Sequence, residues 1–174
     1  MTRTQQVWSR EERLERSLRG MFPGLQLESQ SFENLDTLEQ PVRYRYSAEV
    51  PQLAQRDGES LRMPPSVLDD LTRSMARAPR RRYPLDLGGT SSYLEERTIE
   101  LPGGMRVADV PSGGTAESPF GKLVMTVEQS GRQVQTRTEL EIVQDRVSPD
   151  DYPAFRRWGQ EADQILRQRL TVSR

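Results

Sequence analysis

The chain of 174 residues contains neither cysteine nor histidine. Without thiols it can form no disulfide bond and no thiolate nucleophile. Without imidazoles it lacks the usual general base of a catalytic serine or cysteine. The same absences remove the common ligands of zinc and of other transition metals. We therefore expect no catalytic residue of these classes, no metal site and no bound cofactor.

Long apolar runs and an excess of one charge are also missing. Hydrophobic residues make up 33% of the chain and charged residues 29%, and 25 basic side chains balance 26 acidic ones. A net charge of −1 provides no general attraction to nucleic acid or to anionic lipid. No segment approaches the length of a membrane span. The sequence therefore predicts a modest core, and neither a nucleic-acid partner nor a membrane-spanning segment.

Alternation of apolar and polar side chains is the dominant pattern in this chain. A period of two is typical of strands that bury one face and leave the other in water. Glycine turns at Asp57-Gly58 and Ser130-Gly131 predict hairpins, and Pro102-Gly103-Gly104 predicts another between residues 95–101 and 105–110. The clearest alternating segments are residues 42–50, 123–127 and 134–142.

Helical signals occur in three places. A serine followed three residues later by an acid, the capping-box pattern, begins the first two helices at Ser9 and Ser66. The run Ser148-Pro149-Asp150-Asp151 begins the third, because serine caps the amides and the acids favour the positive end of the helix dipole. The predicted helices span residues 10–19, 67–77 and 150–168.

Together these patterns predict an α+β fold that is mainly antiparallel and sandwich-like. A short N-terminal helix, a middle helix and a longer C-terminal helix accompany the strands. Four aromatic side chains at regular spacing are interpreted as core anchors: Tyr44, Tyr46, Phe155 and Trp158. Residues 1–174 are predicted to form a single domain, with a seam at residues 80–90 as the alternative boundary.

Adjacent acids occur at Asp69-Asp70, Glu95-Glu96 and Asp150-Asp151. Two carboxylates facing each other across a cleft can hydrolyse a glycosidic bond. Neighbours in sequence rarely face one another, however, and two of these pairs fall in the first turns of predicted helices. We interpret them as caps, which leaves a carboxylate-based hydrolase as an alternative function.

Four arginines form the densest charge cluster of the chain: Arg77, Arg80, Arg81 and Arg82. Guanidinium groups bind phosphate and carboxylate in a bidentate manner, so these residues are candidate contacts for an anion or an acidic partner. Runs of charge are more often a solvated face. An anion-binding or acidic-partner module is therefore a further alternative function.

Several motifs, in this order and spacing, resemble the C-terminal region of bacterial transglutaminase-like proteins. In that family a β-rich domain precedes a transglutaminase core, and a domain of unknown function closes the chain. The motifs are Arg82–Leu87, Thr98–Gly104, Glu117–Gly121 and Arg146–Arg156; Leu14–Leu18, Phe22–Gly24 and Tyr44–Pro51 are similar to the segment after the core.

The resemblance implies a non-catalytic accessory domain. The catalytic cysteine, histidine and aspartate of the family belong to the core, so no catalytic residue transfers to this sequence. The implied role is to support the core or to dock a protein or polysaccharide partner, and the core of the parent chain is the expected partner. The resemblance also implies an extracytoplasmic or envelope location for the parent protein.

Overall fold

The computed structural model describes residues 10–34, 40, 43–51 and 53–174. The chain divides into two compact units, Met1–Ala54 and Gln55–Arg174. The predicted single domain stays a prediction, and residues 80–90, the alternative boundary, lie inside the second unit. No helix within the described ranges is long and apolar enough to cross a membrane.

Within its described residues, the first unit contains one helix and a two-stranded antiparallel sheet. Leu18 and Leu25 are the apolar side chains that are buried among these residues. The predicted helix and the alternating strand are confirmed where they are described, whereas Ser9 of the capping box and Val42 lie outside the described residues. The elements are α1 (Arg10–Met21), β1 (Gln26–Glu33) and β2 (Arg43–Glu49), with β1 antiparallel to β2.

A row of stacked aromatic rings runs across this small sheet. The rings of Phe32 and Tyr44 lie 4.6 Å apart between centroids, and those of Tyr44 and Tyr46 lie 5.3 Å apart. Tyr46 is 45% exposed and Tyr44 is only half-buried. The prediction that these tyrosines anchor a core is therefore wrong. Stacking covers the ring faces, but two strands supply few further apolar neighbours.

The second unit is mostly antiparallel β structure with two helices, so the α+β class with mainly antiparallel strands is confirmed. The predicted sandwich-like packing stays a prediction. In chain order the elements are β3 (Gln55–Asp57), β4 (Ser60–Met63), α2 (Leu71–Met75), β5 (Leu85–Asp86), β6 (Ser91–Glu100), β7 (Arg106–Asp109), β8 (Gly114–Ser118), β9 (Gly121–Ser130), β10 (Gln133–Ile142), β11 (Arg146–Val147), α3 (Tyr152–Leu166) and β12 (Leu170–Ser173).

Two four-stranded sheets carry most of these strands. One has the order β6-β10-β9-β8 and the other β3-β4-β12-β7, while β11 and β5 form a short pair. The hairpins predicted at Asp57-Gly58 and Ser130-Gly131 are confirmed, because β3 pairs with β4 and β9 pairs with β10. Gly131 has a φ of 59°, a conformation that glycine adopts without a steric penalty.

The hairpin predicted at Pro102-Gly103-Gly104 is wrong. A turn is present, since the Met105 amide donates to the Pro102 carbonyl oxygen at 3.2 Å. The flanking strands nevertheless separate into different sheets: β6 pairs with β10 along its whole length, and β7 pairs with β12. A local turn signal reverses the chain, but it does not decide which strand occupies the hydrogen-bonding edge.

The C-terminal helix packs its apolar face on β8 and β9. Phe155 and Trp158 are buried, which confirms them as core anchors, and the Trp158 Nε1 donates to the Ala116 carbonyl oxygen at 3.1 Å. The helix ends at Leu166, before the predicted position, because a buried strand follows it. The core cluster comprises Leu71, Ala76, Leu85, Ala116, Phe120, Leu123, Ile142, Val147, Tyr152, Phe155, Trp158, Ala162 and Leu166.

The middle helix begins later than its sequence pattern predicts. It spans Leu71–Met75, with Asp70 rather than Ser66 as its N-cap. Ser66 is buried, and its hydroxyl donates to Glu95 at 2.5 Å while it accepts the Leu68 amide at 3.1 Å. The Ser66 oxygen therefore closes a local turn at Leu68 and does not cap the helix, so the predicted capping box does not form.

Candidate functional site

The predicted arginine cluster is divided between two places. Arg77 lines a groove between α2 and α3. The guanidinium carbon of Arg81 lies 5.8 Å from the ring centroid of Tyr152, within the range of a cation–π contact. Arg80 and Arg82 are exposed and have no ion-pair partner among the described residues. The geometry therefore separates Arg77 from the other three.

The groove has a volume of about 600 Å³ and a strongly polar lining. The two helices come close where Gly159 faces α2, since a Cβ on Gly159 would lie 3.3 Å from the Thr72 hydroxyl. Arg156, Gln160 and Gln164 recur every four positions on one face of α3, and Arg167 follows at its C-terminal end, a spacing that could have been read from the sequence. The lining residues are Asp70, Thr72, Arg73, Arg77, Arg156, Gln160, Asp163, Gln164 and Arg167.

One of the two carboxylates in the groove is buried. The side chain of Asp163 is on α3 and only 2% exposed, and its two oxygens accept the amides of Leu71 and Thr72 at 2.7 and 3.3 Å. These amides belong to the first turn of α2, where no partner exists within the helix. Asp163 therefore caps α2 from a different helix, a role that no local pattern predicts.

The second carboxylate, Asp70, caps α2 from its own segment, which confirms capping for this acid. It accepts the Arg73 amide at 2.7 Å, and Arg167 approaches it at 3.4 Å. The hydrogen bond from the Arg73 amide is the main reason that the pKa of Asp70 lies below its ordinary value, and the positive charge of Arg167 lowers it further.

We expect this depressed pKa to make the second unit more sensitive to acid. The ionised form of Asp70 stabilises the fold above the pKa of the unfolded chain, about 3.9, and this contribution is lost as pH falls through the lower folded-state pKa. Below about pH 4, the Tm of Asp70→Asn should therefore fall less steeply with pH than the Tm of the unmodified chain, as measured by circular dichroism. Asp150→Asn, at an exposed acid, is the control. An equal dependence of Tm on pH in the two variants would contradict the stabilising role of ionised Asp70.

A partly buried acid, Glu95, holds the segment before α2. The Glu95 side chain, on the inner face of β6, accepts the Ser66 hydroxyl and the Val67 amide, and Arg97 lies 3.7 Å from it. The Arg97 guanidinium also donates to the carbonyl oxygen of residue 64 at 3.1 Å, and Thr136 donates to that of residue 65 at 2.8 Å. This polar network fixes residues 64–67 on the sheet.

The remaining acids of the three adjacent pairs have different roles. Glu96 alternates with Glu95 along β6, so it points to the opposite face, where it pairs with Arg137. Asp151 occupies the N-cap position of α3 without a side-chain cap bond; its carboxylate accepts the Ser148 hydroxyl instead. The described ranges contain no group of three or more acidic, histidine or cysteine residues that could hold a metal ion.

Comparison with known proteins places this architecture in a family. A search of curated proteins finds no match. A crystal structure from Parabacteroides distasonis, described as a "putative protease", is similar with a TM-score of 0.54 and 17% identity over 69% of this chain. At this identity the similarity shows a shared fold, and this chain spans 24% of that protein. The family model DUF3858 matches residues 59–172, more than half of the sequence. It describes a domain of unknown function for which a structure has been solved. The chain therefore belongs to the DUF3858 family.

Proposed function

We propose that this chain is a non-enzymatic accessory module of a transglutaminase-like parent protein, positioned after the catalytic core. It would support that core or dock a protein or polysaccharide partner. The observation that carries the proposal is the use of two carboxylates, one buried and one partly buried. Asp163 and Glu95 both accept backbone amides, and so they hold the fold together.

Two further observations support this role. The sequence has no thiol or imidazole with which to run the chemistry of a transglutaminase core. The protein from Parabacteroides distasonis shares this fold over only 24% of its own length, as expected for a module within a larger protein. The proposal of a transglutaminase-like parent protein is based on the sequence motifs between residues 82 and 156.

The test is an activity assay of the chain 1–174. We expect amide hydrolysis, peptide hydrolysis and amide cross-linking to proceed at the rate of a buffer blank, because no activated nucleophile is provided. Mass spectrometry of the products gives a sensitive readout. Turnover that scales with protein concentration and persists through successive purification steps would contradict the proposal.

A carboxylate-based hydrolase is the second candidate, because Asp70 and Asp163 line one groove. Their hydrogen bonds to three amides of α2 make capping the better-supported role. Assays against glycans with the unmodified chain and with Asp70→Asn distinguish the two. Hydrolysis that Asp70→Asn abolishes, in a variant with native circular dichroism, would favour the hydrolase. Absence of hydrolysis by the unmodified chain would exclude it for the glycans assayed.

A further inference from the structure

The groove between α2 and α3 has an excess of positive charge that the protein does not neutralise. Four arginines line it against two aspartates. Asp163 is already bound to the amides of α2, and Asp70 is shared between the Arg73 amide and Arg167. Within the described part of the chain, Arg73, Arg77 and Arg156 have no ion-pair partner. The guanidinium groups are therefore available to an external anion.

Two buried side-chain atoms of residues that line this groove lack a hydrogen-bond partner in the described part of the chain. The Nε of Arg156 is buried, and no acceptor in the described residues reaches it. A buried guanidinium N–H without an acceptor is costly. Because this atom is shielded from the groove, a ligand oxygen would reach it only if the Arg156 side chain turns, and the new hydrogen bond would then remove that cost. The Thr72 hydroxyl is also unpaired, but its position against Gly159 follows from the close approach of the helices.

We propose that this groove binds a small, hydrophilic and multiply charged oxyanion through phosphate or carboxylate groups. Arg73, Arg77 and Arg156 would bind the charged oxygens, since the planar guanidinium matches both groups in a bidentate manner. The amides of Gln160 and Gln164 would contact uncharged polar parts of the ligand. A volume of about 600 Å³ lies within the range of small-molecule sites. This site is independent of the accessory role proposed above.

The proposed site differs from the predicted arginine cluster in a way that can be measured. Only Arg77 is common to both, whereas Arg80 and Arg82 lie outside the groove lining. Arg157 is an exposed neighbour of Arg156 that does not line the groove. Arg77→Gln and Arg156→Lys therefore test the groove, Arg80→Gln tests the predicted cluster, and Arg157→Gln is the matched control.

The experiment titrates the ¹⁵N-labelled chain 1–174 with inorganic phosphate and, separately, with citrate at constant ionic strength. We expect saturable amide shifts in α2 and α3 with at least one anion, and the stronger response identifies phosphate or carboxylate as the preferred group. Arg77→Gln should weaken binding about tenfold, as expected for the loss of one charge-assisted hydrogen bond. Arg156→Lys keeps the charge but loses Nε, and should also weaken binding; Arg157→Gln should not.

Three outcomes would overturn the proposal. The first is the absence of saturable amide shifts with both anions. The second is that sodium chloride produces amide shifts as large as those produced by phosphate or citrate. The third is binding that Arg80→Gln weakens and Arg77→Gln leaves unchanged, which would move the site to residues 80–82. Because Arg77 is exposed, Arg77→Gln should fold normally, so the test remains decisive even if Arg156→Lys disturbs the helix packing.

Discussion

Asp163→Ala is expected to lower the free energy of unfolding of the second unit by about 2–4 kcal/mol, because it leaves two amides of α2 without an acceptor. The Leu71 residue that carries one of these amides is only 5% exposed, so water cannot readily replace the carboxylate. Urea denaturation followed by circular dichroism measures the change. The expected result is a lower midpoint with an unchanged slope.

Two further variants separate capping from a general effect on α3. Glu161 is exposed on the same helix, so Glu161→Ala should change stability by less than about 0.5 kcal/mol. Asp163→Asn retains an acceptor oxygen, although without charge, and its stability should lie between those of the unmodified chain and Asp163→Ala. If Asp163→Ala were no less stable than Glu161→Ala, the capping role of Asp163 would be refuted.

Gly121→Ala is expected to destabilise the second unit by about 3 kcal/mol, because the new methyl group has no room on the inner face of the sheet. A Cβ at this position would clash with the Glu141 carbonyl oxygen and would lie 3.2 Å from the Trp158 ring. Backbone cannot move aside as a flexible side chain can. The strand β9 would have to move away from β10, which carries Glu141, and from α3, which carries Trp158. Thermal and urea denaturation both report this change.

Gly103→Ala provides the matched control. Its nearest contact is the end of the flexible Arg132 side chain, at 3.6 Å, and its φ is not in the left-handed region. We therefore expect a change within about 0.5 kcal/mol. A loss of stability in Gly121→Ala no greater than that in Gly103→Ala would show that β9 can move away from β10 and α3 at little cost, which would contradict tight packing at Gly121.

The arginines of the groove illustrate why the candidate site was predicted only in part. The run at residues 80–82 predicts an anion contact because its positive charges are adjacent in sequence. Arg73 comes from α2, whereas Arg156 and Arg167 come from α3 and its C-terminal end, and the two groups meet only because α2 packs on α3. The spacing of Arg156 and Arg167 with Gln160 and Gln164 was a visible signal of one polar helix face. It did not indicate which element that face approaches.

The local pattern of this sequence determined where strands, turns and helices form. The alternation at residues 134–142 predicts a half-buried strand, and Phe155 with Trp158 predicts the buried face of the last helix, because burial in these elements follows their 2.0 and 3.6 periods. Tertiary structure alone decided which elements meet. Strand β6 pairs with β10 rather than β7, and Asp163 caps a distant helix, because strand edges and helix ends accept any compatible partner. The chain path, and not the local sequence, selects that partner.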